Sequence, residues 1–444
     1  MQILDYLHQK ESPQTSAVDV LVIGASGLWP MDRGVRVHGC ELIRSLHEAG
    51  VRVAVSTMRP TQNAPLWLQG LVHPWPKAQP MHVRSCLNSW SGIGSSMRRA
   101  LAQGQALHPS HLAGLLPLAY ELRPKAVIAL GQHGPMLLKG IERAHPHIKR
   151  IWYAGEEPTS YLGQCLLRDP AQLWRPRLSM MAQFAGIQLL FARQLDAVLA
   201  SDRGEARKLG WITSAKQSVT LKHGVDLKTY RPAAGASKPR SLVFWGRLDT
   251  EPNVHGLRWF VQHVWPTLKQ RGRDATLRIV GHHPLPMVRE LGAIAGVQVV
   301  GPAEDLSQHV HDAAGVILPM RFAGGVQNTL LEAAAMGLPI FASSAATKGL
   351  DLPRHDEPIM RCDKPEQWIE SIWRLWNDPA MAARLGHEAQ QWVSRSHTWQ
   401  DTGTRVIAML NQLVSAEDRI VPVVPPALRA ADQSTGLTPM REAA

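Results

Sequence analysis

Continuous apolar runs alternate with helical periods along most of this chain. Val18 to Ala25 reads VDVLVIGA, a run expected of a strand covered on both faces of a parallel sheet. A turn rich in breakers follows, Ser26 to Gly34. A helical period then runs from Val35 to Ala49 and is closed by Gly50, and Val51 to Thr57 reads as a second strand. Residues 58–115 are dense in Pro, Ser and Trp and show no clear period. Strands return at Lys125–Leu130, Ile148–Ala154 and Leu195–Ser201, the last leading into a short helix from Asp202 to Gly210.

The second half is more regular. Val219 to Gly224 leads into it. Strands are expected at Ser241–Trp245, Ala275–Val280, Val297–Val300 and Gly315–Pro319, with helices at His255–Arg271, Pro286–Ala293 and Asp305–Ala313. Then comes FAGGVQNTLLEAAAMGLPIFAS, Phe322 to Ser343. It reads as a glycine turn, a helix with Leu330, Leu331, Ala334 and Ala335 on one face, a stop at Gly337, and a buried strand at Ile340–Ala342. Residues 366–377 and 380–414 read as helices. Strands separated by helices at this spacing predict an α/β fold with doubly wound parallel sheets. Ligands in such sheets sit at the carboxyl ends of the strands. Gly246-Arg247, Gly281, Gly301 and Met320 to Gly325 fall at those ends.

At 444 residues the chain has room for two or more domains. It shows no apolar run of about 18 residues, and its first residues lack the layout of a signal peptide. The four cysteines are scattered, which points away from a zinc site or a disulfide framework and toward a reducing cytoplasm. Net charge is +12. From Ala49 to Tyr120 there is no Asp or Glu, whereas Arg52, Arg59, Lys77, Arg84, Arg98 and Arg99 lie among Trp67, Trp75 and Trp90. That mixture suits the anionic inner face of a membrane or a charged acceptor. No nucleic-acid-binding signature accompanies the charge, so no nucleic acid partner is expected.

The candidate chemistry centres on the glycine turn. A helix start has unpaired N–H groups and the positive end of the helix dipole, and glycines let a phosphate come close. Gly325, Gln327, Asn328 and Thr329 lie there. Glu332, read as first-turn, would accept bonds from a ribose diol; alternatively Thr329-x-x-Glu332 is a capping box that needs no ligand. Arg247 at a strand end would neutralise a leaving diphosphate, or form a surface ion pair. His133, after a strand of the first half, would bond a sugar hydroxyl or the reacting centre, or stand idle in its loop. No DxD pair is present, His282-His283 has no partner at ligand spacing, and no metal or other cofactor is expected.

Several segments in the right order resemble glycosyltransferase family 4, the group 1 glycosyltransferases. Leu221-Lys-His-Gly-Val-Asp-Leu-Lys-Thr-Tyr-Arg-Pro232 is similar to its NGVDxxxFxP, and Phe244-Trp-Gly-Arg-Leu248 to its GRL strand end. Leu331-Glu-Ala-Ala-Ala-Met-Gly-Leu-Pro339 resembles LEAMAxGxP, and Ser396-His-Thr-Trp399 the SW motif before the final helix. Pro30 to Gly34 matches the glycine loop loosely. The run Gly246-Arg-Leu-Asp-x-x-Pro-Asn253 with Trp259-Phe260 resembles an exopolysaccharide-associated sub-branch. The likeness covers roughly residues 18–412. It implies the GT-B fold, two Rossmann-like domains facing across a cleft, and retention of anomeric configuration. It departs where Gly324 replaces a Glu, where Pro252-Asn253 stand near an expected Lys, where His223 replaces the Asn of NGVD, and where Gly155-Glu156-Glu157 replace a His-Asp pair.

The resemblance implies transfer of a sugar from a nucleoside diphosphate sugar to a glycan or lipid-linked acceptor. Arg247, Glu156 and His133 are the expected catalytic group. Gly34, Arg247, Gly325, Gln327, Asn328, Thr329 and Glu332 are expected to hold the donor. Glu156 would orient the acceptor or share charge at the anomeric carbon, or belong with Glu157 to a solvated turn. A silent scaffold of a polysaccharide assembly complex and a sugar-nucleotide epimerase are the alternatives. The expected layout is a flexible segment 1–17, an acceptor-side domain 18–215, a nucleotide-sugar domain 216–395, a returning helix 396–416 and a disordered tail 417–444.

Overall fold

The computed structural model describes residues 18–25, 27–29, 34–58, 64–75, 115–139, 141–155, 159, 162–163, 174–232, 238–303, 306–323, 326–350, 352, 357–415 and 419–420. Readings made for residues 1–17, 417–418 and 421–444, for Gly324, Gly325, Glu156 and Glu157, and for Arg59, Lys77, Arg84, Trp90, Arg98 and Arg99 lie outside the described residues. Ile420, within the tail expected to be disordered, is instead buried against the core of the first sheet, and its N–H donates to Asn411 Oδ1 at 2.7 Å.

Two six-stranded parallel sheets carry the fold. The first comprises β1 (Val20–Gly24), β2 (Val53–Thr57), β3 (Ala126–Leu130), β4 (Lys149–Gly155), β5 (Ala197–Ala200) and β6 (Gln217–Thr220), in the order β2-β1-β3-β4-β5-β6. The second comprises β7 (Ser241–Trp245), β8 (Thr276–Val280), β9 (Val297–Gly301), β10 (Gly315–Leu318), β11 (Ile340–Ala342) and β12 (Ile359–Arg361), in the order β12-β11-β10-β7-β8-β9. Every residue of β1, β3 and β7 is buried, as their unbroken apolar runs require.

The principal helices are α1 (Gly34–Glu48), α2 (Leu115–Leu122), α3 (Gly134–Lys139), α4 (Trp174–Phe191), α5 (Arg203–Thr213), α6 (Glu251–His263), α7 (Trp265–Arg271), α8 (Asn328–Ala335), α9 (Pro365–Asn377), α10 (Pro379–Ser396) and α11 (Trp399–Leu413). On one face of the first sheet, Leu21, Val127 and Trp152 pack with Leu118 of α2, Leu137 of α3 and Phe184, Ile187 and Phe191 of α4. On the other, Val20, Ile128 and Ile151 pack with Leu42, Ile43 and Leu46 of α1 and with Val406, Ile407 and Leu410 of α11. The last helix among the described residues thus completes the core of the first sheet. The second sheet has its own core, with Phe244, Ile279 and Ile317 at its centre.

Several elements differ from the sequence reading, among them the helix expected over His255–Arg271, which is two helices, α6 and α7. Helix α4 was not anticipated, because its apolar residues fall on every side and leave no period to detect. Strands β6 and β12 are short sheet edges with polar or exposed positions, so they lack the apolar run of a central strand. The helix expected over 380–414 is two helices. His397 (φ −134°, ψ 59°) and Thr398 (φ −107°, ψ 145°) leave the helical region. The break is fixed by hydrogen bonds to the earlier crossing between the sheets. The His397 Nδ1 pairs with the His223 carbonyl at 2.8 Å, and Val225 N–H donates to the His397 carbonyl at 3.1 Å.

Candidate active site

The strand order of the second sheet reverses between β7 and β10, which opens a crevice at their carboxyl ends. The chain leaves β7 at Trp245 and turns through Gly246 to Arg247. Gly281, at the end of β8, lies against that turn. A Cβ on Gly281 would sit 1.7 Å from the Gly246 carbonyl oxygen, so only glycine lets the two strand ends run this close. Asn253 Nδ2 donates to the Arg247 carbonyl at 2.8 Å and pins the loop.

Arg247 is held by a neighbour. Its Nε donates to Asp249 Oδ1 at 2.9 Å, and its Nη2 donates to Asp249 Oδ2. The guanidinium holds the Asp249 carboxyl below its ordinary range. The fork-to-carboxylate pairing fixes the arginine at the strand end with part of its charge already balanced.

Helix α8 begins at Asn328, with Gln327 as N-cap and no side-chain capping bond. Glu332 is therefore the fifth helical residue and lies in the second turn, not the first. The Thr329-x-x-Glu332 capping box does not form, since it requires Thr329 at the N-cap position. Instead both side chains turn to Trp245. The Thr329 hydroxyl donates to the Trp245 carbonyl at 3.1 Å, and the Trp245 indole N–H donates to Glu332 Oε2 at 2.7 Å. The Tyr230 hydroxyl bonds the same carboxylate. Burial pushes the Glu332 carboxyl up against the opposing pull of these bonds, and burial beside Glu332 raises the Tyr230 hydroxyl as well. Thr329 and Glu332 thus both engage Trp245, two residues before Arg247.

Asn328 faces the other sheet. Its Oδ1 accepts from His223 Nδ1 at 3.2 Å. The His223 ring lies 3.5 Å, centroid to centroid, from that of His38, which sits just over a turn into α1. His38 Nδ1 shares a hydrogen bond of 2.9 Å with the hydroxyl of Tyr153 on β4, and Trp399 stands edge-on to His38. Helix α1, which Gly34 opens, and the start of α8 therefore meet across two histidines. Burial drives both rings toward the neutral form, His38 to about 4 and His223 well below its ordinary value.

His133 lies in the turn after β3. Its ring packs edge-on to Phe184 of α4, and burial lowers its pKa. Among the described contacts it joins neither the Trp245 group nor the histidine junction. Trp245, Tyr230, His38 and Tyr153 are the site residues that the sequence reading missed. The one signal for the junction was His223 in the place of a family Asn. Among the described residues no group of three or more His, Cys, Asp or Glu is placed to hold a metal, and no helix is long and apolar enough to cross a membrane.

Comparison with known proteins fits this geometry. Residues 239–378, which contain Trp245, Arg247 and all of α8, match the family model described as "Glycosyl transferases group 1". An exopolysaccharide phosphotransferase of Streptomyces coelicolor is 29% identical over 126 residues. That match covers 27% of this chain and only 13% of the relative, so the chain spans a small part of its length. Among solved structures, HepE of Anabaena in complex with UDP and glucose has a TM-score of 0.61 at 15% identity, covering 88% of this chain and 99% of its own. Sucrose-phosphate synthase of Thermosynechococcus elongatus has a TM-score of 0.65 at 16% identity, covering 89% and 99%. At such identities the likeness is one of fold. Residues 239–378 are therefore a group 1 glycosyl transferase domain, carried on the two-sheet GT-B fold.

Proposed function

We propose that the protein transfers a sugar from a nucleoside diphosphate sugar to a hydroxyl of a glycan or lipid-linked acceptor, with retention of configuration, in polysaccharide biosynthesis. The observation that carries this reading is the group around Trp245 at the switch point of the second sheet. Glu332 is held there by the Trp245 indole and the Tyr230 hydroxyl, and would accept from a ribose diol. The start of α8 supplies N–H groups and dipole for the diphosphate, and Arg247 stands at the adjacent strand end. Gly34, at the start of α1, would let a phosphate come close. Gln327 and Asn328, at the start of α8, would bond sugar hydroxyls, and Asn328 is also engaged by His223. In the retaining reaction the leaving phosphate takes the proton of the incoming hydroxyl on the same face, so no strong protein base is needed. HepE, a neighbour in fold, binds UDP and UDP-glucose, which supports a nucleotide sugar as donor.

A second reading, a silent scaffold of an assembly complex, draws on Gly324 in the place of a Glu and on the pairing of Arg247 with Asp249. A thermal-shift screen against nucleoside diphosphates and their sugars, followed by donor hydrolysis and transfer assays, tests both. Binding with turnover supports the transferase. Binding without turnover favours the scaffold, and a changed sugar nucleotide without acceptor favours an epimerase. No stabilisation by any nucleotide would overturn the donor-site reading.

A further inference from the structure

The basic, acid-free span of the first half gives a membrane little to grip within the described residues. Arg52 is paired with Asp19 at 2.9 Å, and Trp67 lies under Arg44 at 5.0 Å. A different surface has the required character. Helix α4 buries Phe184, Ile187 and Phe191 but leaves Leu178 46%, Met180 44% and Leu189 56% exposed. Leu178, Ala182 and Leu189 form one outward stripe, ending at the exposed Arg193. Helix α5 packs beside α4 and presents Trp211, 83% exposed. On α5 the exposed positions Gly204, Arg207, Lys208 and Trp211 recur at helical spacing, so Trp211 stands on the same stripe as two basic residues.

The charge around these apolar residues has one sign. From residue 193 to 216 the exposed charged side chains are Arg193, Arg203, Arg207, Lys208 and Lys216. The acids of that segment are turned inward or spent. Asp196 is buried and accepts from Lys216 at 2.8 Å and from the Arg150 N–H at 2.9 Å. Asp202 caps α5 through the N–H groups of Gly204 and Glu205, and Glu205 is only partly exposed.

We infer that the outer face of α4 and α5 is the surface that rests on an anionic lipid membrane. An indole belongs at the boundary between headgroups and acyl chains, and long basic side chains reach from an apolar stripe to lipid phosphates. A protein partner would ask for a contiguous apolar patch, whereas these apolar side chains are separated and rimmed by cations. Phe184, midway along α4, touches His133 at the carboxyl end of β3. Phe184 is on the inner face of α4, so α4 itself flanks the first sheet's strand ends, where a lipid-linked acceptor would enter. The inference rests on the lipid-linked acceptor of the proposed function and is independent of the chemistry at Trp245.

The test is co-sedimentation of the full chain with phosphatidylcholine vesicles, with and without phosphatidylglycerol, at low and high salt. Binding is expected only with the anionic lipid and should weaken at high salt. Arg203→Gln and Arg207→Gln should each lower affinity by about fivefold. Trp211→Ser should weaken binding further and abolish the indole quenching that brominated lipid produces in the parent. All three should keep the parent's thermal shift with UDP, which separates failure at this surface from failure at the donor site. Parent-like binding by the three variants would overturn the assignment, as would equal binding to neutral vesicles or none at all. A parent dimer that Trp211→Ser dissociates would assign the face to self-association instead.

Discussion

The indole N–H of Trp245 and the carboxylate of Glu332 lie 2.7 Å apart, 87 positions distant in sequence. This bond ties the end of β7 to the second turn of α8 and fixes the carboxylate proposed above to accept from a ribose.

Glu332→Gln and Glu332→Leu should separate its two roles. Glutamine keeps an acceptor for the indole and should leave stability near that of the parent while weakening nucleotide binding. Leucine leaves the buried Trp245 N–H without a partner, at a cost of about 1–3 kcal/mol. Urea unfolding and calorimetry with UDP would show the split. Undiminished UDP binding by Glu332→Gln would remove the ribose contact.

Arg247 and Asp249 should act in opposite directions. Arg247→Ala is expected to lower turnover by roughly a hundredfold, as loss of a transition-state charge partner does. Asp249→Asn releases the guanidinium from its carboxylate and should tighten diphosphate binding. Parallel loss in both variants would mean that the pair serves only to shape the loop.

The two histidines at the junction predict acid sensitivity. His38 titrates near 4 when folded and near 6.5 when unfolded. Between those values the unfolded chain binds the extra proton, so stability is complete above about pH 6.5 and falls as the pH drops toward 4. The shift corresponds to roughly 3 kcal/mol for His38, and His223 adds in the same direction. Tyr153, Asn328 and Trp399 surround the pair and carry no charge to offset protonation. His38→Asn should flatten the pH dependence of denaturant unfolding; an unchanged slope would exclude His38 as its source.

Gly281→Ala tests the close approach of β7 and β8. The new methyl would overlap the Gly246 carbonyl, so the Arg247 turn must move. A stability loss of about 1–3 kcal/mol is expected, with weaker UDP binding. The same change at Gly301, where a Cβ would meet nothing within 4 Å, costs only the strain of its φ of 80° and should spare binding.

The fold was legible wherever burial on both faces forces an apolar run. Val20 to Gly24, Ala126 to Leu130 and Ser241 to Trp245 announce themselves for that reason. Helix α4 did not, because the face that buries Phe184 and the face that exposes Leu189 are equally apolar. Thr329 and Glu332 were visible as a motif, but their meeting point at Trp245 was not. Trp245 reads in sequence as one more apolar strand residue, and only its indole N–H reveals that it organises them. His38 was hidden similarly, since its partners come from β4, the crossing segment, α8 and α11, none of them near it in sequence.

The chain crosses between the sheets twice, and the two crossings are sewn together. Besides the His397–His223 and Val225–His397 bonds, the Thr402 hydroxyl donates to the Lys222 carbonyl at 3.1 Å. Gly224 lies so near Trp399 that a Cβ would come within 2.6 Å of its ring. In mechanical terms this is a two-leaf flexure. One thread would let the halves swivel in any direction, but two bonded threads resist torsion and shear and leave bending about their common line as the soft degree of freedom. The crevice at Trp245 and the strand ends facing it should therefore open and shut along one arc, with the His38–His223 contact as its closed stop. A single peptide cut in either crossing would soften that arc without parting the halves.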